Sequence, residues 1–297
     1  MEIHQLRYFV TVAELSNFTR AAEKCFVSQP SLSQQIIKLE KELGQPLFER
    51  LRRKVRLTEA GQTLYDRATA ILAAVDDVKR QVTEGTDSGK GRVSVGAIPT
   101  VAPYLVPPVL KRFSSRFPEA EVTIHENLTE YTIKGCLEGE LDVGVLALPI
   151  DEEHLVVEPL FCEELLLAVN SKRPLARKRQ IRMNDLTKEP FILLSDTHCL
   201  GEQIVSFCKQ KDFVPIVSCQ SSQLLTAQEL VALDHGVSLI PEMAAAVDRS
   251  KQRKYRSLSG SKPTRTLAMI WHKHRYQSPI VKQFIEALRE HARQKNE

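Results

Sequence analysis

The sequence lacks the features by which several classes of protein are recognised. No apolar run among its 297 residues approaches the roughly eighteen that a membrane helix needs. The start, MEIHQLRYF, has an early acidic residue and no long apolar stretch, which predicts no signal peptide and a cytoplasmic protein. There is no Gly-x-Gly-x-x-Gly, phosphate loop or Gly-x-Ser-x-Gly, so we expect neither an enzyme nor a cofactor.

The six cysteines have no spacing that is typical of a metal site. The sequence contains no Cys-x-x-Cys and no Cys/His pattern of the zinc type, so we expect no metal. A cytoplasmic location also argues against structural disulfides. Cys25, Cys136, Cys162 and Cys219 lie in or beside apolar segments, and we interpret these four as small buried hydrophobic residues.

Residues 16–61 contain two short helical patterns that meet at a tight connection. In the first, apolar residues recur at i, i+3, i+4 and i+7: Phe18, Ala21, Ala22 and Cys25. Ser28 then stands in the position of an N-cap, and Pro30 follows just inside the second helix. That helix is predicted to bury Leu32, Ile36, Leu39 and Leu43. Its first turn is small and polar, as in the recognition helix of a helix-turn-helix.

A basic stretch follows the second helix and is placed to hold phosphates beside a DNA groove. It contains Arg50, Arg52, Arg53, Lys54 and Arg56. Residues 1–58 hold ten basic and six acidic residues, a net charge of +4, which equals that of the whole chain. A basic segment on a neutral body indicates one module that attracts DNA. The alternative is an ordinary helical hairpin with a solvated basic loop.

The run HQLRYFVTVAELSNFTRAAEKCFVSQPSLSQQIIKLEKELGQPLFER resembles the winged helix-turn-helix of the LysR-type transcriptional regulators. The resemblance implies binding to double-stranded promoter DNA, contact with RNA polymerase, and a homo-oligomer that is a dimer of dimers. The residues expected to contact DNA are Ser28, Gln29, Pro30, Ser31, Ser33, Gln34, Arg50, Arg52 and Arg53.

The organisation predicted for the chain has four parts. An all-α winged helix-turn-helix domain occupies residues 1–58, with the helix-turn-helix at about 18–37. Residues 59–84 form a linker helix, 85–91 a Gly/Ser-rich hinge, and 92–297 a regulatory domain. The linker helix has a heptad seam, which favours dimerisation over packing on its own domain. The seam consists of Leu64, Ala68, Ile71, Val75, Val78 and Val82.

Strand and helix patterns alternate from Arg92 onward, which indicates an α/β fold with largely parallel sheets. The alternation resembles the effector domain of the LysR family, in which two Rossmann-like subdomains enclose a crevice, as in periplasmic binding proteins. By that resemblance subdomain I covers about 92–161 and 266–297, and subdomain II covers about 162–265.

Cys199 differs from the other cysteines in its position. The stretch FILLSDTHCLGEQIVSFC reads as a strand, a polar turn and the start of a helix, and Cys199 lies at that helix start. It falls in the first helical turn, where free amides and the helix dipole favour a thiolate, with His198 beside it. Cys208 lies nine residues further, roughly 13.5 Å along a continuous helix and on its opposite face. A bond between the two sulfurs therefore requires residues 199–208 to refold. Two unconnected thiols remain the alternative.

DTHCLGEQIVSFC resembles the sensing segment of the peroxide-responsive LysR-type activators. Asp196, His198, Cys199, Leu200, Gln203 and Cys208 match that pattern, and IPTVAPYLVP, HENLTE and TRT match other parts of the same group. The resemblance implies that Cys199 attacks hydrogen peroxide and Cys208 resolves the product. Thr100, Thr129 and His198 would bind the peroxide, and Arg265 would supply positive charge. A glutaredoxin- or thioredoxin-type reductant would reset the pair.

Two residues depart from that pattern. Thr197 replaces a usual Gly, and Gly201 replaces a common Arg, which is expected to add helix flexibility and to remove a charge near the thiolate.

A second hypothesis is a LysR-type regulator that responds to a small metabolite between the subdomains. Its DNA binding would be insensitive to peroxide.

Overall fold

The chain divides into two units, Met1–Gly85 and Thr86–Glu297, in a computed structural model that describes residues 1–51, 54–83, 89–195 and 198–296. The predicted hinge at 85–91 falls partly outside the described residues. The first unit consists of α1 (Ile3–Leu15), α2 (Phe18–Lys24), α3 (Gln29–Leu43), β1 (Phe48–Leu51), β2 (Lys54–Leu57) and α4 (Glu59–Thr83).

Helices α1 to α3 enclose the core of the first unit. The Asn17 side chain caps α2 by accepting from the amides of Thr19 and Arg20, and Ser28 caps α3 by accepting from the amide of Ser31. Buried residues of α1 and α3 form the centre of this core: Leu6, Phe9, Val12, Leu32, Ile36 and Leu39. Strands β1 and β2 pair antiparallel as the wing. The prediction for Leu43 is wrong, because this last residue of α3 is 41% exposed where the chain turns at Gly44.

Helix α4 has two different halves. Leu64, Ala68 and Leu72 pack on the core formed by α1 to α3, which is the alternative interpretation of the seam. By contrast, Ile71, Val78 and Val82 are exposed, the last of them by 78%. These three exposed apolar side chains are at heptad spacing, which the sequence predicts for the seam.

Phe26 connects α2 to α3 in a conformation that disfavours a phenylalanine. Its φ is +56° and its side chain is 94% exposed, so packing does not compensate the left-handed backbone. We expect Phe26→Gly to stabilise the first unit by about 1 kcal/mol, because glycine adopts this region without a steric penalty. Hydrogen exchange of the α2 and α3 amides in the full chain measures the gain. Phe26→Ala, which keeps the Cβ, is the control, and equal protection in both variants would contradict the strain.

The second unit contains nine strands and six α-helices among its described residues. The strands are β3 (Gly91–Ala97), β4 (Ala120–Glu126), β5 (Val143–Ala147), β6 (Leu155–Asn170), β7 (Pro190–Leu194), β8 (Ile216–Ser221), β9 (Ser238–Pro241), β10 (Arg253–Arg256) and β11 (Thr264–His272). The helices are α5 (Ala102–Arg116), α6 (Thr129–Glu138), α7 (Cys199–Lys209), α8 (Leu224–Ala232), α9 (Glu242–Val247) and α10 (Pro279–Asn296).

The sheets of the second unit are mixed rather than largely parallel. Strand β3 pairs parallel with β4 and β5, and β7 pairs parallel with β8. Strand β11 is antiparallel to β5 and β6, and β6 is antiparallel to β9 and β10. The prediction of largely parallel sheets is wrong because β6 and β11 cross between two halves of the unit in opposite directions.

Two hydrophobic cores divide the second unit. The first core includes residues from Val93 to Phe161 and from Leu267 to Ala292, together with Met243 of α9. The second core runs from Leu165 to Leu258. Strand β6 contributes to both cores: its residues up to Glu164 pair with β11, and those from Leu165 to Ala168 pair with β9. Tyr104 of α5 contacts both cores, so the site described below lies where the two halves meet.

Candidate functional site

The first turn of α3 presents the polar surface that the sequence predicts for reading DNA. Ser28, Gln29, Pro30, Ser31 and Gln34 are exposed and Ser33 is half-buried. The Gln29 side-chain amide donates to the Ser33 hydroxyl over 2.9 Å, which aligns both groups on one side of the helix. Arg50 lies in the wing strand β1. Arg52 and Arg53 lie outside the described residues.

Helix α7 carries both predicted redox cysteines. Cys199 is its first residue and His198, which is 7% exposed, is in the N-cap position. Cys208 is fully buried near the other end. Both thiols are free. Cys199 packs against the first core whereas Cys208 belongs to the second, so one helix holds its two sulfurs in different hydrophobic environments.

Burial determines the state of the Cys208 thiol. Desolvation raises its pKa to about 11, so at neutral pH Cys208 is a protonated thiol that is a poor nucleophile while α7 is intact. Cys136 is equally enclosed, and burial raises the pKa of its thiol to about 12. The interpretation of Cys162 as buried is wrong, since its side chain points outward from β6 and is exposed. Cys25 and Cys219 are half-buried.

Gly201 brings α7 close to the end of β7. A Cβ at this position would lie 2.6 Å from the backbone oxygen of Leu194. The expected effect of Gly201 was helix flexibility, but its contact shows a packing role, because any larger residue would force the helix away from the strand. Asp196 and Thr197, which precede the helix, lie outside the described residues.

Arg265 forms a buried ion pair with Glu163 and also contacts Thr100. Arg265 on β11 is opposite Glu163 on β6 in the strand register. Its Nε donates to Glu163 Oε1 over 2.8 Å, and its Nη1 donates to the Thr100 hydroxyl over 2.9 Å. Nη2 donates to the Thr100 backbone oxygen over 3.1 Å. Because Glu163 neutralises the guanidinium, Arg265 contributes mainly directed hydrogen bonds here rather than a free positive charge.

The bond from Arg265 fixes the role of the Thr100 hydroxyl. A guanidinium has no acceptor, so Thr100 Oγ1 must accept from it and its own proton remains available for donation. Glu163 was not identified from the sequence. Its second oxygen accepts from the backbone amide of Met243 over 3.0 Å, which ties the pair to the start of α9. No sequence signal indicates this partner, since 102 residues separate Glu163 from Arg265.

Two other polar atoms near helix starts are buried and have no hydrogen-bond partner among the residues described. Thr129 Oγ1, on the first residue of α6, is one of them. Gln203 Oε1 on α7 is the other, although the Gln203 amide nitrogen donates to the Leu148 backbone oxygen over 2.8 Å. Buried polar atoms normally have partners, and side chains outside this region, such as Gln277 and His291, have unpaired atoms too, so this property alone does not locate a ligand site.

A cavity of about 700 Å³ lies beside α7. Its wall includes the polar face of α7, with Glu202, Gln203 and Ser206, and the strand residues Arg265 and Thr266. The described residues include no cluster of three or more side chains suited to a metal ion. None of the described helices is both long and apolar enough to cross a membrane.

The fold and the site together define a DNA-binding regulator, in which a winged helix-turn-helix is joined to an α/β sensor unit. Residues 3–62 match the family model described as a bacterial regulatory helix-turn-helix protein of the lysR family, and residues 86–293 match the LysR substrate binding domain. The chain belongs to the LysR family of transcriptional regulators. The predicted fold class is confirmed, and so is the prediction of a regulator rather than an enzyme.

Several relatives resemble the chain over nearly its whole length. The dual regulator OxyR of Escherichia coli is 36% identical, with 97% of this chain and 95% of that protein covered. A full-length OxyR variant from Pseudomonas aeruginosa has a TM-score of 0.79 at 32% identity, covering 99% and 95% of the two chains. A cysteine-to-serine variant of Corynebacterium glutamicum OxyR with H2O2 bound has a TM-score of 0.66 at 32% identity, covering 99% and 93%.

Proposed function

We propose that the chain is a transcriptional regulator that senses hydrogen peroxide through Cys199 and stores the signal as a Cys199–Cys208 disulfide. The observation that carries the proposal is the placement of the two thiols on one helix but in two hydrophobic cores. The similar proteins include OxyR of Escherichia coli, and an OxyR variant of Corynebacterium glutamicum was solved with H2O2 bound.

The first chemical step is attack of the Cys199 thiolate on one peroxide oxygen. A sulfur–oxygen bond forms and the oxygen–oxygen bond breaks, so sulfur is oxidised to a sulfenic acid while the second oxygen leaves as hydroxide. The leaving oxygen gains negative charge and needs a proton donor. The Thr100 hydroxyl, oriented by Arg265, supplies such a donor, and the buried hydroxyl of Thr129 and the imidazole of His198 are the other candidates.

The second step requires α7 to open. Nine residues of helix separate the sulfurs by roughly 13.5 Å along the axis, far beyond the reach of a disulfide. Once the helix opens, Cys208 leaves the core that suppresses its ionisation, and its thiolate attacks the Cys199 sulfur. The sulfur–sulfur bond forms and the sulfenic oxygen leaves as water after protonation. A glutaredoxin- or thioredoxin-type dithiol reduces the bond again.

Oligomer formation follows from the exposed apolar surfaces. The later half of α4 exposes Ile71, Val78 and Val82, and strand β8 exposes Ile216 and Val217 at a sheet edge. Pairing along α4 would give a dimer with two winged helix-turn-helix domains, and a second contact in the second unit would give a dimer of dimers. This assembly would bind double-stranded promoter DNA in the cytoplasm and contact RNA polymerase there.

A variant pair tests the role of the α3 first turn. Gln29→Ala should relax sequence preference at one base pair of a selected operator by about 1–3 kcal/mol, because a direct base contact is lost. The control Arg52→Gln should weaken every DNA sequence alike and lower the salt slope by about 1. Binding to operator and mixed-sequence duplexes over a salt series measures both. An unchanged preference in Gln29→Ala would remove that residue from the reading surface.

Peroxide sensing is tested by mapping thiols by mass before and after stoichiometric H2O2. The expected product is a disulfide between Cys199 and Cys208, with the other four thiols still reduced. The cavity of about 700 Å³ beside α7 favours a second candidate, a regulator that binds a small polar metabolite. Unmodified Cys199 after peroxide treatment would contradict peroxide sensing and would favour the hypothesis of a metabolite-responsive regulator.

A further inference from the structure

A dense group of cations covers one surface of the second unit. We name it the basic face and define it by Arg177, Lys178, Arg179, Arg182, Lys211, Lys254 and Arg256. Six of the seven are exposed and Arg256 is half-buried. The overall balance of charge outside residues 1–58 concealed this group, because acidic residues elsewhere offset it.

Hydrogen bonds join the separate segments of this face. Arg256 donates to the backbone oxygen of Lys178, and Ser259 donates to the backbone oxygen of Ile181 over 2.7 Å. Lys254 and Arg256 alternate along β10 and therefore point to the same side of the strand. Lys211 follows α7, and its amide donates to the backbone oxygen of Cys208. Lys211 lines the same depression as Arg182 and Ser259, which places it beside the other segments of the face.

Carboxylates neutralise little of this charge. In residues 177–186, 209–212 and 253–262 the acidic residues are Asp185 and Asp212. Asp185 accepts from Lys178 over 2.7 Å, and that hydrogen bond lowers the pKa of the carboxyl. The face retains a substantial positive charge.

A depression of about 550 Å³ lies within the basic face. Arg182 and Lys211 provide charge there, and neutral donors complete the wall: Gln180, Asn184, Ser259 and Ser261. The lining contains no carboxylate. Cations surrounded by amide and hydroxyl donors are the side chains that contact phosphate oxygens in DNA complexes.

We propose that the basic face binds the phosphates of double-stranded DNA, as a contact separate from the winged helix-turn-helix. A protein partner would need an apolar centre. In the segments that carry the seven cations, 177–182, 209–213 and 253–256, no large hydrophobic residue is among the strongly exposed ones, and the nearest in sequence is Val214. Phosphates need only cations and hydrogen-bond donors. Because residues 3–62 are a DNA-binding helix-turn-helix of the lysR family, a duplex bound there is tethered to the second unit through the same chain.

The salt dependence of DNA binding tests this contact in the full chain. The face variant carries Arg177→Gln, Arg179→Gln and Arg182→Gln. The probe is a mixed-sequence duplex of about 60 base pairs, and binding is measured over a salt series. Each lost phosphate contact lowers the slope of log K against log salt by about 0.9, so we expect a decrease of about 2 or more.

A control variant separates position from net charge. Lys111→Gln, Lys273→Gln and Lys282→Gln remove the same charge from exposed positions elsewhere in the second unit. The control should keep the wild-type slope, and Trp271 fluorescence should show that both variants fold. Equal slopes in all three proteins, or an equal decrease in face and control variants, would overturn the proposal. An unchanged slope with lost binding to poly-glutamate would assign the face to an acidic protein instead.

Discussion

Cys199→Ser should abolish the response of DNA binding and transcription to peroxide, because the attacking sulfur is lost. Cys208→Ser should still form a sulfenic acid at Cys199, but its response should be weak and transient since no cross-link holds the new shape. Cys219→Ser removes another half-buried thiol and is the matched control, with a normal response. Sulfenic-acid trapping and DNA binding after stoichiometric peroxide distinguish the three variants. A normal response in Cys199→Ser would disprove the proposed sensor.

The same experiment has a structural readout in α7. A helix of eleven residues is marginal on its own, so α7 depends on packing. Opening it exposes Leu200, Ile204 and Cys208 from the second core, at a cost of roughly 1.5–3 kcal/mol for each large apolar side chain. An oxidising potential can offset this cost, because about 30 mV corresponds to roughly 1.4 kcal/mol for a two-electron couple. Hydrogen exchange over Leu200–Phe207 should increase on oxidation of the wild type and remain slow in Cys199→Ser. Equal protection in the oxidised and reduced wild type would contradict helix opening.

Glu163→Ala should destabilise the second unit by about 3–5 kcal/mol, since it leaves the fully buried guanidinium of Arg265 without its counter-charge. The α9 amide of Met243 would also lose its acceptor. Trp271 is the single tryptophan of the chain and lies on β11, so its fluorescence during urea unfolding reports this unit.

A double variant separates stability from chemistry at this pair. Glu163→Met with Arg265→Leu removes both charges and should recover much of the lost stability, because apolar replacements of a buried pair are often neutral. It should not recover the reaction with peroxide, since nothing then orients the Thr100 hydroxyl. If the double variant reacts at the wild-type rate, Arg265 does not position Thr100 and its role is structural.

Local patterns in the sequence predicted the helices of the helix-turn-helix, the linker helix and the alternation of strands and helices from Arg92 onward. Ser28 and Pro30 marked the start of α3, and the periodicity of Leu32, Ile36 and Leu39 marked its buried side. The first helix has the same signal, since Leu6, Phe9, Val10 and Ala13 recur at i, i+3, i+4 and i+7. The position of Cys199 at a helix start also followed from the strand and polar turn before it.

Features that depend on distant partners could not be predicted in this way. The short elements β8, α9 and β10 have little periodicity of their own and are stabilised by pairing with β7 or β6 and by packing. The contact that requires Gly201 involves a backbone oxygen of another element. Glu163 resembles any other acidic residue in an alternating strand until β11 brings Arg265 opposite to it.

Strand β6 restricts how the sensor unit deforms. It is 16 residues long, or about 50 Å at ~3.3 Å per residue. Its ladder with β11 shifts register beside Leu160, but the strand is unbroken from Glu163 to Leu165, where the two halves meet. Ladder hydrogen bonds fasten it to β11 on one side of Glu164 and to β9 and β10 on the other. The halves are therefore joined by hydrogen-bonded strand rather than by a loop, so a rearrangement of α7 that changed their relative orientation would have to twist or bend β6.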